Sequence, residues 1–153
     1  SANYIQMLTC HPECKKENNL GTIIVDKIHK TTTANIFYLT IRKGSTPIGL
    51  IHLDRFDADK NSAYAGLFIG NEEFEGTGIA FKASIALLEF AFEELQLETV
   101  FAKVHKENSV AIVYNKNLGF EDDGKESESF HRLKINSISF YEKRSYLLNL
   151  LSL

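Results

Sequence analysis

Tryptophan is absent from this 153-residue chain, methionine occurs once, and cysteine and proline occur twice each. Two prolines and 24% charged residues are the profile of a folded chain, not a disordered one. Cys10 and Cys14 flank His11, but a metal site needs more ligands at suitable spacing, and Glu13 is the only other candidate nearby. Free reduced thiols and no metal are expected, and with them a cytoplasmic location. No apolar run approaches the roughly 18 residues of a membrane span, and no signal peptide is visible; no membrane partner is expected. Positive charge is not in excess either: 17 Lys+Arg face 20 Asp+Glu, for a net charge of -3. Nucleic-acid binders carry a basic footprint, so nucleic acid is not an expected partner. Three motifs of other chemistries are missing as well: a Gly-x-Ser-x-Gly elbow, a Walker lysine after Gly78, and His-Glu-x-x-His.

What the chain does have is 44% apolar and 11% aromatic residues, enough for one core, and its length reads as a single domain over residues 1–153. Residues 1–34 are the least legible. Tyr4, Ile5, Met7 and Leu8 predict a short helix that His11-Pro12 interrupts, and Ile23, Ile24, Val25 and Ile28 predict a second one ending near Thr31 to Thr33. Strand signals follow: Asn35 to Lys43, a turn at Gly44 to Pro47, Ile48 to Phe56, a polar loop at Asp57 to Asn61, and Ser62 to Ile69, rich in β-branched and aromatic residues. From Ile79, apolar residues recur at Ala80, Ala83, Ala86, Leu87, Phe90, Ala91 and Leu95, the steps of one helical face. Thr99 to His105 reads as a strand, Ser109 to Leu118 as a short helix stopped by Gly119, and Glu121 to Glu128 as a solvated acidic loop. Phe130 to Ile135 and Ser137 to Lys143 predict a final hairpin, the expected face for any homodimer, followed by an apolar tail, Tyr146 to Leu153. Strand, helix and strand over residues 62–105 imply a parallel pair with a right-handed crossover. The expected class is α/β in three layers: a mixed, mostly antiparallel central sheet with helices on both faces.

Two patches carry chemistry. In Glu73-Phe-Glu-Gly76-Thr-Gly78-Ile-Ala80, two glycines flank Thr77 where a strand turns into a helix. Such a turn points backbone N–H groups into one space and suits a phosphate-bearing ligand. Downstream lies Asn108-Ser-Val-Ala111-Ile-Val-Tyr114-Asn-Lys-Asn-Leu-Gly119-Phe120. In this order the patches resemble the GNAT superfamily of acyl-CoA-dependent N-acyltransferases, which carries Gln/Arg-x-x-Gly-x-Gly/Ala before a helix and Asn-x-x-Ala-x-x-x-Tyr, then Gly-Phe, later. The resemblance covers roughly residues 35–145. It is nearest to the subgroups acting on ribosomal-protein N-termini and on amino-sugar nucleotides of the pseudaminic acid type, with His11-Pro12-Glu13 matching a segment of both. The first family strand is expected to be short or missing. Glu73 departs from the usual Gln or Arg, and Tyr64 stands where many relatives carry a strand Glu.

The resemblance implies acetyl-CoA as cosubstrate. Gly76, Thr77, Gly78, Ile79 and Ala80 would meet its pyrophosphate, Phe68 and Ile69 its pantetheine arm, and Asn108 the same arm, although Asn108 is also an ordinary helix cap; Phe74 is a further cofactor-binding candidate. Tyr114 would protonate the departing thiolate, with a buried core tyrosine as the alternative. His52, Asp54 and Tyr64 are the candidates for the acceptor side. His52 and Asp54 share one strand face, and His52 has a reference pKa suited to a base; His105 and water-mediated deprotonation are alternatives. Lys82, Lys103, Lys106 and Lys116 could reach the 3′-phosphate or be solvated surface lysines. The expected activity is transfer of an acetyl group to the amine of a small molecule or amino-sugar nucleotide. Transfer to a protein N-terminus or a polyamine, and a catalytically silent acyl-CoA-binding protein, are the alternatives.

Overall fold

The computed structural model describes residues 23–27, 37–43, 45–69 and 78–150. Among these, seven strands form one sheet: β1 (Ile23–Lys27), β2 (Phe37–Lys43), β3 (Thr46–Asp57), β4 (Ser62–Ile69), β5 (Thr99–His105), β6 (Glu121–Lys125) and β7 (Phe130–Asn136). Their spatial order is β1-β2-β3-β4-β5-β7-β6. All neighbours are antiparallel except β4 and β5. The parallel pair requires a crossover, supplied by α1 (Ile79–Glu89) and a π-helical turn, Phe90–Glu94. Two further helices are α2 (Ser109–Leu118) and α3 (Ser137–Leu150).

Period-two alternation sorts the strand residues onto two faces. Leu53 lies opposite Ala65, Ala65 beside Ala102, and Ala102 opposite Leu133. This row and its neighbours Ile51, Val100 and Ile135 form one buried cluster with Ile85, Leu87 and Leu88 of α1, Leu118 of α2, and Phe140 and Leu147 of α3. The other face carries the row Asp54, Tyr64, Phe101 and Lys134 and the pair His52 and Gly66. The three described helices therefore share one face. The short helix expected around Tyr4 to Leu8 lies outside the described residues, as do Cys10, His11 and Cys14.

Three expectations are corrected. Ile23–Lys27 is an edge strand, not a helix; Ile-Ile-Val is a β-branched run, and strand pairing with β2 offers it more than helix propensity does. Glu121–Lys125 is a strand, not a loop, although most of it stays exposed. Two of its acidic side chains are paired: Asp123 lies 2.7 Å from Arg132 and 3.3 Å from Lys134, and Asp122 lies 3.1 Å from Lys116. The final hairpin is consequently β6–β7, and Ser137–Lys143 is helical. There Asn136 acts as a cap, its Oδ1 accepting from Ser139 N–H at 3.0 Å. Phe140 and Leu147, seven apart, then fall on one buried helical face. The salt bridge from Glu89 to Arg144, at 2.5 Å, ties α3 to α1.

The break between α2 and β6 is made as the glycine predicts. Gly119 has φ 111°, a left-handed conformation that costs an L-residue with a Cβ. Gly119 N–H donates to Lys116 O and Phe120 N–H to Asn115 O, each at 3.0 Å. A Cβ added here would meet Ile135 Cδ1 and Lys143 Cγ at 3.2 Å. Gly119→Ala should therefore lose about 1–3 kcal/mol of stability, read from the urea midpoint at unchanged m-value.

Candidate active site: a slot between two parting strands

Strands β4 and β5 pair only where Ser62, Ala63, Tyr64 and Ala65 meet Thr99, Val100, Phe101 and Ala102. Both strands run on, to Ile69 and His105. Each stays held by its outer neighbour: β4 pairs with β3 as far as Ile69 opposite Gly49, and β5 with β7 as far as His105 opposite Phe130. The central pair therefore parts after Ala65 and Ala102. A cavity of about 160 Å³ fills the gap, lined by Ala65, Gly66 and Leu67 on one side and Ala102, Lys103 and Val104 on the other. Leu87, Leu88, Ser84 and Tyr114 close it from the helical side. Small residues at the fork leave room, and the apolar walls suit a thin, mostly aliphatic chain.

Among the described residues, no side chain caps the N-terminus of α1. Gly78 occupies the cap position with φ 81°, and the first turn holds no acidic residue. Its leading N–H groups, at Ile79 and Ala80, are donors without helical partners, at the positive end of the helix dipole. Phe74, Gly76 and Thr77 lie outside the described residues. Phe68 and Ile69 sit in β4 beyond its last pairing with β5. Among the described residues, neither Lys82 nor Lys106 is in an ion pair, whereas Lys116 binds Asp122 at 3.1 Å and Lys103 lies over the Phe130 ring.

Tyr114 reaches from α2 to the first turns of α1. Its hydroxyl donates to Ala80 O at 2.8 Å and lies 2.5 Å from Ser84 Oγ. With the phenolic proton committed to the carbonyl, the serine hydroxyl is the donor in that second bond. Burial pushes the phenol pKa far up, only partly opposed by the Ser84 bond. The phenol is thus neutral across the working pH range and holds a proton it can give. Ser84 was not found from the sequence; its signal is a polar residue on the apolar face between Ala83 and Leu87. Asn108 caps α2, its Oδ1 accepting from Ala111 N–H at 3.1 Å. The His105 Nδ1 accepts from Glu107 N–H at 3.2 Å, a local structural bond at the end of β5.

On the opposite face, His52 and Asp54 come together, with Nε2 3.8 Å from Oδ2. Tyr64 lies opposite Asp54, but its hydroxyl turns away and donates to Glu126 Oε2 at 2.9 Å, while Arg55 stacks 3.9 Å over its ring. Arg55, Glu126 and Arg132, none singled out by the sequence, tie Tyr64 to the β6–β7 connection. Only folding joins residues 62 apart, so no local pattern announces them. Among the described residues no cluster of His, Cys, Asp and Glu could hold a metal ion, and no helix is long and apolar enough to cross a membrane.

Burial lowers the His52 pKa below 6.5, Asp54 opposes that by raising it, and Arg55 adds to the lowering. At neutral pH the ring is uncharged. The unfolded histidine, with its ordinary pKa of 6.5, takes up a proton before the folded one, so the unfolded state binds more protons in this window. The stability contributed by a neutral His52 is therefore complete above pH 6.5 and is lost as pH falls through the folded pKa. Urea midpoints should fall below pH 6.5, and His52→Asn should flatten that fall.

Residues 7–121 match the family model described as an acetyltransferase (GNAT) domain. A Bacillus subtilis (strain 168) protein named "Putative ribosomal N-acetyltransferase YdaF" is 36% identical over 85 residues, 54% of this chain and 45% of that protein. The chain spans about half the length of the curated relatives it matches. Among solved structures, a variant of the spermidine N-acetyltransferase SpeG from Vibrio cholerae has a TM-score of 0.63 at 24% identity, covering 72% of this chain and 69% of that one. FdhC, described as a nucleotide-linked sugar GNAT, has a TM-score of 0.67 at 19% identity, covering 76% of this chain and 65% of that one. At these identities the structural likeness concerns the fold, and the family-model match carries the assignment: the chain belongs to the GNAT acetyltransferase family.

Proposed function

We propose that the protein transfers an acetyl group from acetyl-CoA directly to a primary amine. The observation that carries this reading is the slot where β4 and β5 part, with the N-terminus of α1 following β4 in the chain and a protonated Tyr114 on its wall. The residues present fit the cosubstrate. Gly78, Ile79 and Ala80, with Gly76 and Thr77 before them, would hold the pyrophosphate through backbone N–H groups. Phe68 and Ile69 would offer unpaired strand groups to the pantetheine amides, as an edge strand does to a peptide. Phe74 and Asn108 would flank the same arm, and Lys82 the phosphates.

In the transfer, the neutral amine attacks the thioester carbonyl, the C–S bond breaks, and the thiolate leaves. Tyr114 donates its proton to that sulfur and gives up its bond to Ala80 O, while Ser84 steadies the phenolic oxygen. As the C–N bond forms, the amine nitrogen becomes cationic, and His52, neutral and on the other side of the sheet, takes its proton, with Asp54 stabilising the imidazolium formed. Both substrates in one slot gain from proximity.

The acceptor we propose is a small amine or the amino group of a sugar nucleotide. Against a polycation such as a polyamine stands the pairing of the acidic residues: Asp122, Asp123 and Glu126 already face Lys116, Arg132, Lys134 and Arg55, which leaves little field to attract one. A protein N-terminus is the second reading, favoured by the YdaF similarity. A silent acyl-CoA-binding role is the third, favoured by Tyr64 being committed to Glu126.

A thermal-shift titration tests the cosubstrate, and turnover separates the silent role from transfer. Acetyl-CoA at about 100 times its Kd should stabilise by roughly 2.7 kcal/mol, with coenzyme A acting alike and ATP far less; no shift at millimolar acetyl-CoA removes the proposal. On any accepted amine, Tyr114→Phe should lower kcat by about 10²–10⁴-fold with little change in the KM for acetyl-CoA. Tight binding of acetyl-CoA without turnover of any amine leaves the silent role.

A further inference from the structure

We propose that Gly66 is the positioning residue for His52, holding the imidazole across the mouth of the slot where the acceptor amine must lose its proton. His52 and Gly66 are register partners on β3 and β4, so their Cα substituents project from the same face. The imidazole occupies the volume that a side chain at position 66 would fill: a Cβ there would lie 2.2 Å from Cε1, 2.7 Å from Nε2 and 3.0 Å from Nδ1 of His52. Left-handed backbone is confined to Gly78, Gly119 and Gly124 among the described glycines. Gly66 is therefore needed for the ring, not for its own φ.

The placement gives that packing a use. Gly66 follows Ala65, the last β4 residue paired with β5, and it lines the slot. The ring packed against Gly66 therefore lies beside the first β4 residue past the pairing with β5. Asp54 and Arg55 of β3 face the ring, with Asp54 Oδ2 3.8 Å from Nε2. Tyr64 precedes Gly66 by one pleat on β4, and Tyr38 is the register partner of His52 on β2. Glycine brings the base to β4 and lets backbone cover one side of it, so that it stays unprotonated beside two charged neighbours. The positioning stands on these contacts alone; its meaning as base placement rests on the proposed acetyl transfer.

The test is an NMR titration of the imidazole resonances, with His52→Asn identifying His52 among the five histidines. In the parent protein His52 should titrate below 6.5. In Gly66→Ala the displaced ring should titrate close to 6.5, the ordinary value; an unchanged His52 titration overturns the proposal. A double-mutant cycle reads the same contact as stability. Gly66→Ala should lower the melting temperature of the parent but not of His52→Ala, where alanine in a strand is neutral or better than glycine. Equal losses in both backgrounds overturn the proposal. Should Gly66→Ala fail to fold, folding of the double variant supports the contact and its failure rejects it. With an accepted amine, release of thiol from acetyl-CoA should show the acidic limb of kcat/KM moving up with the NMR value in Gly66→Ala, and kcat/KM at neutral pH falling at least about tenfold. Acetyl-CoA binding without transfer would sink the functional reading while leaving the titration result intact.

Discussion

Everything in this fold depends on two parallel strands that pair for four residues and then part while their outer neighbours keep hold of them. A sheet normally satisfies its backbone by continuing to pair. Here the pairing ends at Ala65 and Ala102, and the strands beyond are kept straight by β3 and β7, so the interior of the sheet acquires an edge. That edge is where a ligand can be read by main chain, without any side chain of its own. The helices matter chiefly for what they bring to it: α1 the positive end of its dipole, α2 a phenol, α3 the apolar backing of Phe140 and Leu147 that keeps β7 in place.

The two faces of the opening are chemically unlike. On the helical side, Tyr114 is buried, uncharged and clamped between a carbonyl and a hydroxyl. On the other, His52 is half exposed and neutral among charged groups. Environment alone pushes these two titratable side chains in opposite directions, the phenol up and the imidazole down. Under the proposed transfer, that divergence would separate an acid from a base working at one pH.

Much of this was legible in the sequence where local pattern and tertiary need agree. The hairpin strands from residue 37 to residue 69, the crossover, the Asn108 cap and the Gly119 stop all follow from propensity and turn chemistry, and the paired motifs led to the family. Legibility failed where long-range partners decide. Glu121 to Lys125 looks like a loop until β7 is set beside it, and Ser137 to Lys143 alternates like a strand until Asn136 caps it. His52 and Asp54 could be placed on one face by period two alone. That Tyr64 would turn to Glu126, and that Gly66 would underlie His52, needed the register of β3 against β4 and the return of β6.

One small feature at the closed end of the fork governs the whole opening. Asn61, in the turn before β4, donates from Nδ2 to Gln96 O at 2.7 Å, and its own carbonyl accepts from Glu98 N–H at 2.9 Å. The same residue thus fastens the start of β4 to the start of β5, on either side of the crossover. Mechanically it is the pivot pin of a pair of tongs. The four paired residues beyond it are the short arm, and the diverging ends toward Ile69 and His105 are the long one. An angular error of a few degrees at the pin is magnified along the jaws, so the fit to a thin guest chain is set far from where that guest is gripped.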